Sequence, residues 1–332
     1  MSENQSNHAH PTGQQPGATP EDHSVAGKSS VDPVLMIGAT GYMGERMRTR
    51  IREAGHAVRL MVRRPGDEER FQAEGFETCV GDVLEPASLL DAMDGVGSII
   101  NLVAIIKEHG DITFEKINYQ GSVNVVDAAR QSGVPRLIQT SAIGASNAPD
   151  MPYLYTKWRA ENYVRESGLD WTIFRPSLMF GSTAEGHEHF VSQLADVVRT
   201  APIVPVVGGG DAKFQPIHLD DISDAFRCAL EDPATVGKIL EIGGPDVLTY
   251  RDMLEEIARV FKSRKPRIPV PTGLIAMGSG LLDLIPGVEP PITRDQLKIL
   301  RIDNVPQENA TETLIGRPPR PFRGNITYIT SD

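Results

Sequence analysis

Cysteine is nearly absent. The 332 residues hold only Cys79 and Cys228, far apart and outside any metal-ligand spacing. That excludes a disulfide framework or a cysteine zinc site and fits a reducing cytoplasm. Positive charge is also short: the formal net charge is −11 and no basic stripe runs along the chain, so no nucleic-acid partner is expected. The Gly-x-Ser-x-Gly elbow, the HExxH zinc motif and any internal repeat are missing. So is an unbroken apolar run long enough to span a bilayer. The most apolar window, 268–285, is interrupted by two prolines, three glycines and Asp283, and reads either as a core or lid helix or as a contact for a membrane surface or lipophilic partner. Large apolar residues are scarce in the first 32 positions, which predicts a disordered tail. This tail has no arginine and no apolar core, unlike a secretory signal or a mitochondrial presequence. Its Ala26-Gly-Lys-Ser29 is not a P-loop, because the first glycine of that motif would fall at Asp22.

The most informative segment present is Val34-Leu-Met-Ile-Gly-Ala-Thr-Gly-Tyr-Met-Gly44. Four apolar residues run into Gly38-x-x-Gly41-x-x-Gly44, and a helical pattern follows over 45–54. Glycine allows a sharp turn and close approach of backbone to a pyrophosphate, while the helix start offers free N–H groups and a positive dipole end. A second apolar strand over 57–62 completes a βαβ unit of the length a dinucleotide fold needs. Further strands are predicted at 77–80, 98–103, 136–139 and 170–174, with helices at 86–93, 114–131 and 153–166. Short apolar strands alternating with helices imply an α/β, Rossmann-type, doubly wound parallel sheet. Beyond Phe180-Gly181 proline and glycine become frequent, with helices expected at 250–261 and 293–300. The predicted organisation is a tail (1–32), a dinucleotide-binding domain (33–180) and a smaller C-terminal α/β substrate-side domain (181–332), of which 214–245 returns to the sheet.

The end of the second strand bears on cofactor type. An NAD-preferring fold places an acidic residue there for the ribose 2′-hydroxyl. This chain reads Leu60-Met-Val-Arg63-Arg64. A guanidinium suits a 2′-phosphate, so Arg63, with Arg64 in support, points to NADPH/NADP rather than NAD. After the third strand, Asp82 of Gly81-Asp82-Val83 can accept from an adenine amino group. In Tyr153-Leu-Tyr-Thr-Lys157, Tyr153 and Lys157 share a helix face while Tyr155 points elsewhere. A phenol titrates near 10, and a nearby ammonium is expected to lower that value. Glu185-Gly-His187-Glu-His189 has two imidazoles but no third ligand nearby; it is expected to be a solvated polar loop, and no metal site is expected.

The glycine turn, Asp82, Leu137-Ile-Gln-Thr-Ser-Ala142, Tyr153–Lys157 and Phe174-Arg-Pro176 resemble the short-chain dehydrogenase/reductase superfamily in its extended and atypical branches. More narrowly, Val134-Pro-Arg-Leu-Ile-Gln-Thr-Ser-Ala, Phe214-Gln-Pro-Ile and Ile292-Thr-Arg-Asp-Gln-Leu resemble the family of the nucleotide-binding accessory subunit of respiratory complex I and its bacterial relatives. The resemblance implies a tightly held NADPH. Its candidate binding residues are Gly38, Thr40, Gly41, Tyr42, Met43, Gly44, Arg63, Arg64, Asp82, Val83, Ala104, Lys157 and Pro176, and the candidate catalytic residues are Tyr153, Lys157 and Ser141. Active members carry a hydroxyl just after the fifth strand. Ser141 can supply it, but the favoured register puts Ala142 there. Two readings stay open: an accessory or assembly component at the respiratory membrane, cytoplasmic or peripheral to the inner membrane, or a working NADPH-dependent oxidoreductase, epimerase or dehydratase. The first implies a respiratory-membrane complex as partner. The second implies a lipophilic small molecule (quinone- or enone-like) or a sugar nucleotide.

Overall fold

In the computed structural model the described residues are 32–270, 298, 300 and 302–330. The expected disordered tail therefore lies outside the described residues apart from Asp32. The same holds for the window 268–285 beyond its first three residues, and for the helix at 293–300 apart from Lys298 and Leu300.

Seven strands build the central sheet: β1 (Val34–Ile37), β2 (Val58–Val62), β3 (Glu77–Val80), β4 (Ser98–Asn101), β5 (Arg136–Thr140), β6 (Asp170–Pro176) and β11 (Lys238–Ile242). Their order is β11-β6-β5-β4-β1-β2-β3, and every pairing is parallel. β1 is buried throughout, and its side chains divide by the two-residue strand period. Val34 and Met36 join one core, while Leu35 and Ile37 join the other. The first core also takes Met43, Met47 and Ile51 of α1 (Tyr42–Glu53), Phe71 of α2 (Pro65–Ala73), and Ile222 and Phe226 of α7 (Leu219–Glu231). The second takes Leu89 of α3 (Pro86–Met93), Val125 and Ala129 of α4 (Gly121–Ser132), and Val164 of α5 (Pro152–Arg165). Apolar strands covered on both faces give the doubly wound Rossmann arrangement. The strand order reverses between β1 and β4, which opens the crevice where such sheets bind ligands.

A third core lies beyond β6. It joins Phe180 of β7 (Met179–Phe180), Val191, Leu194 and Val198 of α6 (Phe190–Thr200), Val204 and Val206 of β8 (Val204–Val207), Phe214 of β9 (Lys213–Phe214), Leu248 of β12 (Leu248–Thr249), Met253 and Ile257 of α8 (Tyr250–Val260), and Phe322. β10 (Ile217–His218) pairs with β7, and β13 (Arg267–Val270) with β8. Ile268 to Val270 are thus strand, paired in parallel with β8, not the start of a helix.

Several helices depart from the sequence reading. The helix expected over 114–131 is π-wound over Glu115–Gln120 before α4 begins, and Asn118 inside that turn is fully buried, clamping Ile105 with bonds of 2.8 and 3.0 Å. α2 was not foreseen because only Phe71 in it is buried, so no apolar stripe announces it; its signal is Pro65 in the first turn. α6 and α7 were also passed over, although both have apolar residues at helical spacing.

Candidate nucleotide site and adjoining chamber

The glycine turn owes its shape to two positions. Gly38 has φ +88°, a left-handed conformation that side chains disfavour, and a Cβ there would sit 3.2 Å from the backbone of Leu102 and Val103. At Gly44 a Cβ would lie 2.4 Å from the Gly38 carbonyl oxygen and 2.7 Å from the Ala39 Cα. The turn is therefore folded tightly under α1. Gly41 caps α1 with no side chain, leaving the first-turn N–H groups of the helix for an anion. These features fit the diphosphate of a dinucleotide. Thr40 is half-buried in the turn, and the Tyr42 hydroxyl donates to the Gly181 carbonyl at 2.9 Å. Burial drives the Tyr42 phenol well above its ordinary pKa.

Arg63 and Arg64 follow β2 and are exposed; among the described residues neither guanidinium has a hydrogen-bond or ion-pair partner, while the Arg64 carbonyl accepts from the Asp67 and Glu68 N–H groups at the start of α2. Asp82 stands at the end of the adjacent β3, half-buried, with one carboxylate oxygen accepting from the Leu84 N–H at 2.9 Å. Val83 is buried against Gly121, where a Cβ would come within 2.9 Å of it.

Nearer the switch point, a cavity of about 380 Å³ opens beside the glycine turn. Gly38, Gly41, Tyr42, Met43, Gly44, Ala104, Ser141, Tyr153 and Pro176 all line it, together with Ala142. Thr40, Arg63, Arg64, Asp82, Val83 and Lys157 do not. The wall is mainly apolar, with Leu102, Ile143, Leu154, Leu178, Met179, Phe190, Phe214 and Leu300. Its size suits a small-molecule pocket.

The chemistry of Tyr153 differs from the sequence expectation. Burial pushes its phenol up to about 12, although a lowered value was expected. Lys157 is almost fully buried, and its ammonium donates to the Thr140 carbonyl at 2.7 Å. Burial lowers the Lys157 pKa to about 8, against the opposing charge of Glu161. Helical spacing put Tyr153 and Lys157 on one face, but burial dominates both groups and the lysine ammonium donates to the Thr140 carbonyl of β5. Next along the strand end, the Thr140 and Ser141 hydroxyls are buried without hydrogen-bond partners, and both residues line the cavity. Tyr155 stacks on Trp158 instead.

The segment around His187 is an irregular loop with Glu185, Gly186 and Glu188 exposed, as expected from sequence, but it is anchored by charge in a way the sequence did not show. Glu45 of α1 accepts from the Ala184 and Glu185 N–H groups; Glu185 pairs with Arg48 at 2.6 Å and Arg70 at 3.1 Å. Burial raises the Glu185 carboxyl, but the two guanidinium groups outweigh it and hold the pKa below the ordinary value. His187 Nε2 lies 3.5 Å from Glu185 and 3.7 Å from Glu45, yet both Glu185 oxygens are already committed to arginines. His189 accepts from the Ser192 N–H at the start of α6 and stacks on Tyr42 at 4.7 Å. Charge pairing with α1 holds the segment down, and no local motif could have revealed partners this distant in sequence.

Sequence reasoning also missed Thr140, whose carbonyl and hydroxyl both face this site, and Asn304. Asn304 lines the cavity and accepts from the Leu178 N–H at 2.6 Å. The Leu-Ile-Gln-Thr-Ser run pointed to Thr140; nothing marked Asn304. No helix among the described residues is long and apolar enough to cross a membrane.

Comparison with known proteins agrees with this geometry. Residues 38–202 match the NAD(P)H-binding family. The chain is 27% identical over 304 residues to the mitochondrial NADH dehydrogenase [ubiquinone] 1 alpha subcomplex subunit 9 of Arabidopsis thaliana, covering 86% of this chain and 74% of that protein. It is also 27% identical to a (4-alkanoyl-5-oxo-2,5-dihydrofuran-3-yl)methyl phosphate reductase of Streptomyces griseus, covering 87% and 95%. In fold it is similar to an NADPH-dependent quinone oxidoreductase of Escherichia coli solved with NADPH, with a TM-score of 0.72, 18% identity, and 90% and 99% of the two chains covered. Residues 38–202 thus belong to the NAD(P)H-binding domain family, in a chain that binds a nicotinamide dinucleotide and is related both to complex I subunits and to reductases.

Proposed function

We propose that the protein holds NADPH in preference to NADH and acts mainly as a nucleotide-holding accessory component, as the names of its complex I relatives suggest. The observation that carries the accessory reading is the state of the acid–base pair. A phenol raised to about 12 remains protonated at neutral pH and is a weak acid, and Lys157, bonded to the Thr140 carbonyl, does not line the cavity that Tyr153 faces. Efficient proton transfer calls for a group that titrates near the working pH. Gly38, Gly41 and Gly44 would hold the diphosphate, Asp82 the adenine end, and Arg63 with Arg64 the 2′-phosphate.

Cofactor choice rests on Arg63. A hydrogen bond to a charged group contributes about 1.5–3 kcal/mol, so Arg63→Ala is expected to weaken NADPH binding roughly ten- to a hundredfold. NADH binding should barely change. Titration calorimetry with both nucleotides measures this, and equal losses for the two would remove 2′-phosphate recognition from the reading.

The orphaned hydroxyls favour a second reading, a slow reductase acting on a lipophilic carbonyl compound. Ser141 and Thr140 would donate to a carbonyl oxygen in the chamber, and Tyr153 Oη would deliver the proton. Bound NADPH would supply the hydride. Incubation with quinones and enones, followed by the absorbance of the reduced nicotinamide, separates the readings. Under the accessory reading, any oxidation is slow and unchanged in Tyr153→Phe. Sustained oxidation that disappears in that variant would replace the accessory reading with the reductase.

A further inference from the structure

The chamber carries a second polar point, distant in sequence from the strand-end hydroxyls. Asn304 is held by main-chain bonds on both sides: its N–H donates to the Lys213 carbonyl at 2.7 Å, and its carbonyl accepts from Gln215 at 3.1 Å. Its side-chain oxygen accepts from the Leu178 N–H at 2.6 Å. A backbone N–H can only donate, so the amide oxygen must face Leu178 and the amide NH₂ must face away from it. That NH₂ has no hydrogen-bond partner among the described residues, and Asn304 lines the cavity. Ser177, its polar neighbour in the wall, is already committed, donating to the Gln215 carbonyl at 2.5 Å. Among the chamber's polar residues, Thr140, Ser141 and Tyr153 form the strand-end group and Asn304 belongs to a separate segment; Gln193, Tyr42 and His189 are further polar residues in a lining that is otherwise largely apolar.

We propose that Asn304 is a specificity-determining residue that selects an apolar ligand bearing two oxygen acceptors, one for the strand-end hydroxyls and one for the Asn304 amide. An apolar molecule with a single carbonyl leaves one of these donors desolvated and unpaired, and a site built to hydrogen-bond an oxygen rejects the analogue that lacks it. The inference rests on the reading that the chamber receives a small molecule beside the nucleotide, in either the accessory or the reductase role. A dicarbonyl compound meets the requirement; a simple ketone does not.

The test measures binding by calorimetry to full-length protein, with and without saturating NADP⁺, which blocks turnover. The probes are 2-methyl-1,4-naphthoquinone and benzoylacetone, each with two carbonyls, against 1-tetralone, with one. At least one dicarbonyl is expected to bind tenfold or more tightly than 1-tetralone. Asn304→Asp keeps an oxygen for the Leu178 N–H and replaces the donor with a charged acceptor. It should erase that preference by weakening the dicarbonyl far more than 1-tetralone. A wild-type protein that does not favour either dicarbonyl overturns the proposal, whatever the variant does. So does a preference that survives Asn304→Asp. If NADP⁺ fails to bind, the nucleotide reading falls, and the ligand preference is still decided on the protein alone.

Discussion

Gly44→Val should weaken dinucleotide binding by at least a hundredfold. The cause is steric and local. A Cβ at this position would lie 2.4 Å from the Gly38 carbonyl oxygen and 2.7 Å from Ala39 Cα, and both are backbone atoms that cannot rotate away. The turn must open, which moves the first-turn N–H groups off the position of the diphosphate and removes the close approach that makes a glycine turn bind phosphate. Valine adds two γ carbons and leaves no rotamer without a clash. Gly66→Ala is the matched control, because a Cβ at Gly66 meets nothing within 4 Å and its φ is not left-handed. Nucleotide affinity and melting temperature of both variants, read by calorimetry and a thermal scan, give the comparison. If Gly44→Val binds NADPH as well as wild type does, the diphosphate does not lie on this turn.

The dinucleotide half was legible because its signals are local. Glycine spacing, a hydrophobic strand on either side and the period change from two to 3.6 all occur within about thirty residues of sequence, the span of a βαβ unit. Six of the seven strands of the sheet could be placed for the same reason, whereas β11 had no strand expectation of its own. What sequence could not supply is everything decided by partners far along the chain. The i, i+4 spacing of Tyr153 and Lys157 gave a shared face, but not the Thr140 carbonyl that engages Lys157 or the burial that lifts the phenol. The His187 loop gave no sign of its anchors because Arg48 and Arg70, which pair with Glu185, lie more than a hundred residues earlier. Asn304 belongs to no motif; the long-range pairing of its segment with β9 places it in the chamber wall. Motifs carry backbone geometry well. They carry protonation state and ligand preference poorly, because desolvation and hydrogen-bond supply are properties of the folded surroundings.

Asp221→Ala should produce the largest loss of stability among single changes of charged residues. Asp221 opens α7, is fully buried, and accepts three bonds from one late segment: the Arg320 N–H at 2.6 Å, Arg320 Nη1 at 2.6 Å and Arg317 Nη2 at 2.7 Å. Two residues on, Phe322 is fully buried in the third core. The carboxylate therefore ties the sheet-side helix to the chain that fills the other core. Removing it leaves a backbone N–H and two guanidinium groups short of an acceptor, and breaking a buried ion pair typically costs 3–5 kcal/mol. Both arginines are about one-third exposed, and each keeps another carboxylate: Arg317 pairs with Asp224 at 2.6 Å and Arg320 with Asp220 at 3.2 Å. Solvent and these remaining partners soften the loss, so the expected cost is about 3 kcal/mol, or a melting temperature lower by roughly 5 °C. Asp224→Ala removes a less buried carboxylate from the same arginine and should cost under about 1 kcal/mol. Urea unfolding of both variants at pH 7 decides the matter. Equal and small losses would mean that apolar packing around Phe322 holds the late segment without help from Asp221. A large loss confined to Asp221→Ala, with NADPH affinity within about threefold of wild type, would mean that the buried carboxylate fixes this segment while the glycine turn forms independently of it.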